Sequence, residues 1–150
     1  MITTRSVRRI GAVAIVVPTL DHLLGPTLGI IFAPTLMYTV FGPGAVPAIV
    51  FFIVLGIFQL VWIRVLLKST NRPLLIVGIL GNLVSIIIYF ISLSGLTIFG
   101  VPPQNGGVFA ILIKALEAVF VLASIYVLTE RESSNNGNLA GRANSDSRSA

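Results

Sequence analysis

Residues 73–93 read PLLIVGILGNLVSIIIYFISL, a run of 21 residues without one charged side chain. At ~1.5 Å per helical residue, such a run is long enough to cross a hydrocarbon core of ~30 Å. Pro73 suits the first turn of a helix, where its missing N–H leaves no bond unmade. The small and polar residues of the run are not scattered. Gly78, Asn82, Ser85, Tyr89 and Ser92 follow one another at intervals of 4, 3, 4 and 3, which places them on one helix face. An apolar helix with one stripe of small and polar residues is built to pack against other helices inside a bilayer.

Working outward, residues 46–65 form a second apolar run, after the breaker Gly42-Pro43-Gly44 and up to Arg64. Residues 107–129 form a third, between the Val101–Gly106 loop and the charged triplet Glu130-Arg131-Glu132. In each the polar stripe returns: Phe52, Gly56, Gln59 and Ile63 in one, Ala110, Lys114, Glu117, Val121 and Ser124 in the other. These three stripes are expected to face one another.

The N-terminal region is less regular. Arg5, Arg8 and Arg9 ahead of an apolar run resemble the start of a signal peptide, but Pro18-Thr19-Leu20-Asp21-His22 offers no small-x-small cleavage site, so an uncleaved first helix is expected. Pro26 and Pro34 then leave two readings for the stretch up to Phe41: one span over 7–24 followed by a membrane-embedded piece, or two spans turning at Asp21-His22. Basic residues decide, because they accumulate on the cytoplasmic side. With four spans, Arg5, Arg8, Arg9, Arg64, Lys68, Arg72, Arg131, Arg142 and Arg148 all share one side, and that is nine of the ten basic residues. A fifth span would split them. The expected fold class is therefore all-α: a polytopic membrane four-helix bundle with spans at 7–24, 46–65, 73–93 and 107–129. Residues 25–41 are expected as a re-entrant or interfacial segment. Residues 131–150, rich in Ser and Asn and without an aromatic, are expected to be a disordered cytoplasmic tail. Both termini are placed in the cytoplasm and the chain in the cell membrane.

The composition of all 150 residues agrees with this reading: 55% are hydrophobic and 10% charged, against roughly 25% charged in soluble domains. A soluble enzyme, a disordered chain and a nucleic-acid-binding domain are excluded on that ground. The net charge of +5 is what topology demands, with anionic lipid headgroups as its partners. Cysteine is absent, which removes disulfides, thiolate metal sites and cysteine nucleophiles. No dinucleotide, P-loop, zincin or nucleophile-elbow motif is present. His22, the single histidine, points to interfacial hydrogen bonding rather than a metal site, and no cofactor is expected.

The candidate site lies on the stripes. Glu117, Asn82 and Ser85 fall near the membrane midplane, Lys114 and Tyr89 about a turn nearer the outer surface, and Asp21 and His22 at the outer end of the first span. These seven residues are the ligand- or ion-binding candidates, with Asp21 and His22 as the outer lip; no catalytic residue is expected. The charges carry weight in the energetics. Thirteen Ile, Leu, Val and Phe residues of the last span contribute about −4 to −8 kcal/mol to insertion, whereas Lys114 and Glu117 oppose it by about +5 to +7 kcal/mol near the centre. An i,i+3 pair facing inward relieves much of that opposition. The pair reads either as an ion or proton site or as a neutralised clamp that fixes helix register.

Ile88-Tyr89-Phe90-Ile91-Ser92, the Gly/Pro loop from Gly95 to Pro103, and a span opening at Gly107 with Lys114-Ala115-Leu116-Glu117 resemble a group of small, uncharacterised four-span membrane proteins of bacteria and archaea. His22 ahead of a short amphipathic element fits the same pattern. Members of that group often carry Arg-Thr after the serine, where this chain has Leu93-Ser94. The resemblance implies architecture and no activity. The leading functional expectation is a non-enzymatic accessory or scaffolding subunit of a membrane assembly, with membrane-protein partners or copies of itself. The alternative is a small proton- or ion-coupled transporter using Lys114 and Glu117. A membrane enzyme or quinone site built on His22, Asp21 and Tyr89 ranks last.

Overall fold

The computed structural model describes residues 3–68, 71–96 and 107–146. They form α1 (Thr4–Phe32), α2 (Pro34–Phe41), a 3-10 turn (Gly42–Gly44), α3 (Ala45–Lys68), α4 (Arg72–Leu93) and α5 (Val108–Asp146). Among the described residues there is no strand. Four stretches are long and apolar enough to cross a membrane: α1, α3, α4 and the Val108–Glu130 part of α5. The chain is a multi-pass membrane protein built as a four-helix bundle.

α1 begins where Thr3 accepts the Ser6 amide at 3.2 Å, a side-chain cap on an otherwise unpaired N–H. It then runs for 29 residues, through Pro18 and Pro26. Each proline removes a backbone donor and crowds the turn before it. The threonine that follows each one donates to the carbonyl beside the one the proline frees: Thr19 to Ile15 at 2.7 Å, next to Ala14, and Thr27 to Leu23 at 2.6 Å, next to His22. Pro-Thr-Leu in fact recurs at 18–20, 26–28 and 34–36, an eight-residue spacing that is legible in the chain. Only the third copy starts a new helix, α2. The first span therefore does not stop at Leu24, and residues 25–41 are not one separate element. Residues 25–32 are the end of α1, and Pro34–Phe41 alone forms a short helix against α1 and α3. At ~1.5 Å per residue, α1 is longer than a ~30 Å core requires. Its last turn is open, with Phe32 78% exposed.

A second difference lies at the other end. α5 continues as helical backbone to Asp146, across residues expected to be disordered. Composition argued only that this stretch has no apolar face to bury. The span before it supplies the nucleus, the costly step of helix formation, but Ser, Asn and Gly propagate a helix poorly and nothing in their chemistry accounts for the continuation.

α1 packs chiefly against α3 and α5, and α4 chiefly against α5. Close approach rests on small residues. A Cβ at Gly56 of α3 would stand 2.7 Å from Leu23 Cγ and 3.3 Å from His22 Cβ, so only glycine lets α1 sit this near. Gly11 does the same for α1 against Ala123 of α5, at 2.6 Å. The apolar core gathers Ile15, Trp62, Leu66, Phe120 and Val127, while Val13, Val77, Ile87 and Leu122 point outward. The polar side chains Thr19, His22, Gln59, Asn82, Ser85, Glu117 and Ser124 are all buried. An apolar exterior around a polar seam is the pattern expected in lipid, where association is not driven by hiding apolar surface.

Candidate functional site

Four helices send one polar network to the middle of the bundle. α5 supplies Lys114 and Glu117, one turn apart, with Nζ 2.9 Å from Glu117 Oε2. Across from them, α4 places Ser85 between the two charges. Lys114 donates to Ser85 Oγ at 2.7 Å, so the serine hydrogen is free to point at Glu117 Oε1, 3.3 Å away. α3 adds Gln59, whose Nε2 donates to Asn82 Oδ1 at 3.0 Å and to Glu117 Oε1 at 3.3 Å. α1 completes the network with His22. Its Nδ1 lies 3.0 Å from Gln59 Oε1 and its Nε2 3.5 Å from Glu117 Oε1, and its ring stacks on Phe52. Glu117 is fully enclosed, and Lys114 retains only 10% side-chain exposure.

The directions of these bonds follow from one helix carbonyl. Gly78 O accepts from Asn82 Nδ2 at 2.9 Å, which turns Asn82 Oδ1 toward Gln59. Gln59 must then present its amide nitrogen to that oxygen and to the carboxylate, since both only accept. Its own oxygen is left facing His22 Nδ1. The His22 proton is thereby placed on Nδ1, an assignment made by the network. Nε2, the nitrogen facing Glu117, carries a lone pair in the neutral ring. With the ring neutral and Glu117 ionised, Nε2 and Oε1 face each other as two acceptors 3.5 Å apart. Lys114 and Ser85 stabilise the carboxylate form from the other side.

Of the sequence candidates, Lys114, Glu117, Asn82 and Ser85 come together. His22 joins them, but inside the network and not at its rim: α1 runs ten residues beyond it, so it sits well within the helix. Asp21 stands half-buried beside it and takes no hydrogen bond in this network. Tyr89 shares the α4 face, yet its buried hydroxyl has no hydrogen-bond partner among the described residues. Gln59 is the residue absent from the candidate set. The signal for it was the Phe52–Gly56–Gln59–Ile63 stripe, which put a neutral amide on the face that meets the charges. Among the described residues, no group of three His, Cys, Asp or Glu side chains gathers as a metal site.

Comparison with protein-family models, with curated proteins and with solved structures gives no match to this chain. The functional reading accordingly rests on the chemistry of the network.

Proposed function

We propose that this membrane protein is a small, non-enzymatic proton carrier in which His22 and Glu117 exchange the transported proton and Lys114 tunes the carboxylate. The observation that carries the reading is the approach of His22 Nε2 to Glu117 Oε1, at 3.5 Å, with Nδ1 already committed to Gln59. Ionisable groups inside a membrane are rare and mark ion or proton routes by default. His22 and Lys114 sharing the Glu117 carboxylate make a unit that changes its charge by one at little reorganisation. Four helices enclose a narrow interior, so the working form is expected to be a homo-oligomer.

The test is proton movement in proteoliposomes under a potassium diffusion potential, followed with an entrapped pH dye. The wild-type chain is expected to pass protons faster than protein-free vesicles. His22→Gln is expected to return the rate to the vesicle background while the protein still elutes as a folded species. A wild-type rate equal to background would sink the carrier reading.

A second reading, an accessory or scaffolding subunit, is favoured by a different observation. Both polar atoms of Gln59 and of Asn82 are satisfied within the chain, as a fixed clamp between helices requires. That reading expects no flux and stoichiometric partners under mild detergent. For either, both termini are proposed to face the cytoplasm of the cell membrane, by the placement of arginine and lysine. Since the chain has no cysteine, Ser6→Cys and Ser94→Cys give single labelling sites at opposite ends of the bundle. An impermeant maleimide added to intact cells is expected to label Cys at 94 and spare Cys at 6; labelling of both from outside would overturn the topology.

A further inference from the structure

Away from the polar network, the first turns of α1 and the last turn of α3 enclose a recess of ≈ 640 Å³, lined by Thr4, Arg5, Arg8, Arg9, Leu67 and Lys68. Four of its six walls are cationic. Among the described residues, no ion pair joins a carboxylate to Arg5, Arg9 or Lys68. The remaining arginine gives the recess its shape. Arg8 Nη1 donates to the Leu66 carbonyl at 3.3 Å, tying α1 to the last turn of α3. Among the residues whose side chains are described, the nearby carboxylate of Glu130 of α5 is engaged by the hydroxyls of Thr4 and Tyr126.

What distinguishes the recess from a solvated basic patch is its continuation into the bilayer. On α1 the exposed face passes from Arg5 and Arg9 to Val13, Val17 and Leu20 at helical spacing, and these three are 70%, 42% and 48% exposed. Leu67 opens the same apolar wall on α3. Guanidinium and ammonium groups above an outward apolar stripe match the two halves of a phospholipid. Arginine in particular offers paired donors to phosphate oxygens.

We propose that this recess is a binding site for the phosphodiester headgroup of an anionic phospholipid, whose acyl chains lie along the Val13–Val17–Leu20 face of α1. The lipid bridges α1 and α3 at the end where their backbone partners run out. The site is independent of the proton chemistry proposed above.

The experiment is native mass spectrometry of the full chain in mild detergent, titrated with dioleoylphosphatidylglycerol. Dioleoylphosphatidylcholine serves as the zwitterionic comparison and inorganic phosphate as the competitor. One phosphatidylglycerol is expected to be retained per chain. Arg5→Gln with Lys68→Gln is expected to weaken it about thirty-fold, each basic residue near an anionic headgroup contributing roughly a factor of five. Arg64→Gln with Arg72→Gln removes the same charge outside the recess and is expected to leave retention unchanged. Should the first pair fail to yield folded protein, Arg5→Gln with Arg9→Gln replaces it, leaving the Arg8–Leu66 tie in place. Equal losses in the recess and control variants would overturn the site, as would equal retention of phosphatidylcholine. Displacement of the lipid by an equal concentration of inorganic phosphate would assign the recess to a free phosphoanion and overturn the lipid.

Discussion

Glu117→Leu is expected to destabilise the bundle by about 3 to 5 kcal/mol, the range found when one partner of a buried ion pair is removed and the other is left alone. The lost attraction is the smaller part of that figure. Lys114, at 10% exposure, would keep its charge beside a leucine, and Ser85 and Gln59 would lose the oxygens they donate to. Lys114→Met with Glu117→Leu is expected to recover most of the loss, since no isolated charge remains and the interior stays filled. Ser85 and one of the two Gln59 amide hydrogens lack an acceptor in the double variant, so recovery should stop short of the parent. Thermal unfolding of the four proteins of this cycle, in one detergent, reads the coupling directly. Single variants whose losses simply add in the double would show that Lys114 and Glu117 do not act as a pair.

The same pair shows how much of the molecule could be read before any coordinates. The spans at 46–65, 73–93 and 107–129 fall within a few residues of α3, α4 and the apolar part of α5, because uncharged runs of that length have few other fates. Lys114, Glu117, Asn82 and Ser85 were found because helical periodicity is a local property. His22 was misplaced for a local reason too. Reading Pro26 as a breaker closes the first span at Leu24 and puts His22 at a membrane edge. Pro18 and Pro26 are visible in the sequence, but the packing of α1 along α3 and α5, through which the helix runs on, is not a local property. Gln59 stands on a stripe with no charged residue, whereas Asn82 and Ser85 fall at the depth of the Lys114/Glu117 pair. Its importance is relational: it matters through what stands on either side of it, and a stripe cannot say which helix will supply the neighbours.

Those neighbours make Gln59 the residue whose replacement should change the chemistry most for the least change in shape. Gln59→Leu removes the acceptor that holds the His22 proton on Nδ1 and the donor that Glu117 Oε1 receives at 3.3 Å. The ring is then free to carry its proton on Nε2 and give it to the carboxylate, which now lacks one of its hydrogen bonds. His22 becomes a fixed donor to Glu117 instead of a base facing it, and the exchange proposed above is blocked. Nitrogen NMR of histidine-labelled protein should therefore show a protonated Nδ1 in the parent and a protonated Nε2 in Gln59→Leu, one histidine making the assignment unambiguous. Proton flux is expected to fall roughly ten-fold or more, a decade corresponding to about 1.4 kcal/mol. Gln59→Glu sharpens the test. It keeps an acceptor at Nδ1 but sets a second carboxyl against Glu117, so the tautomer should hold while the pair shares a proton of its own. A parent ring already protonated at Nε2 would remove the basis for the exchange, whatever the flux.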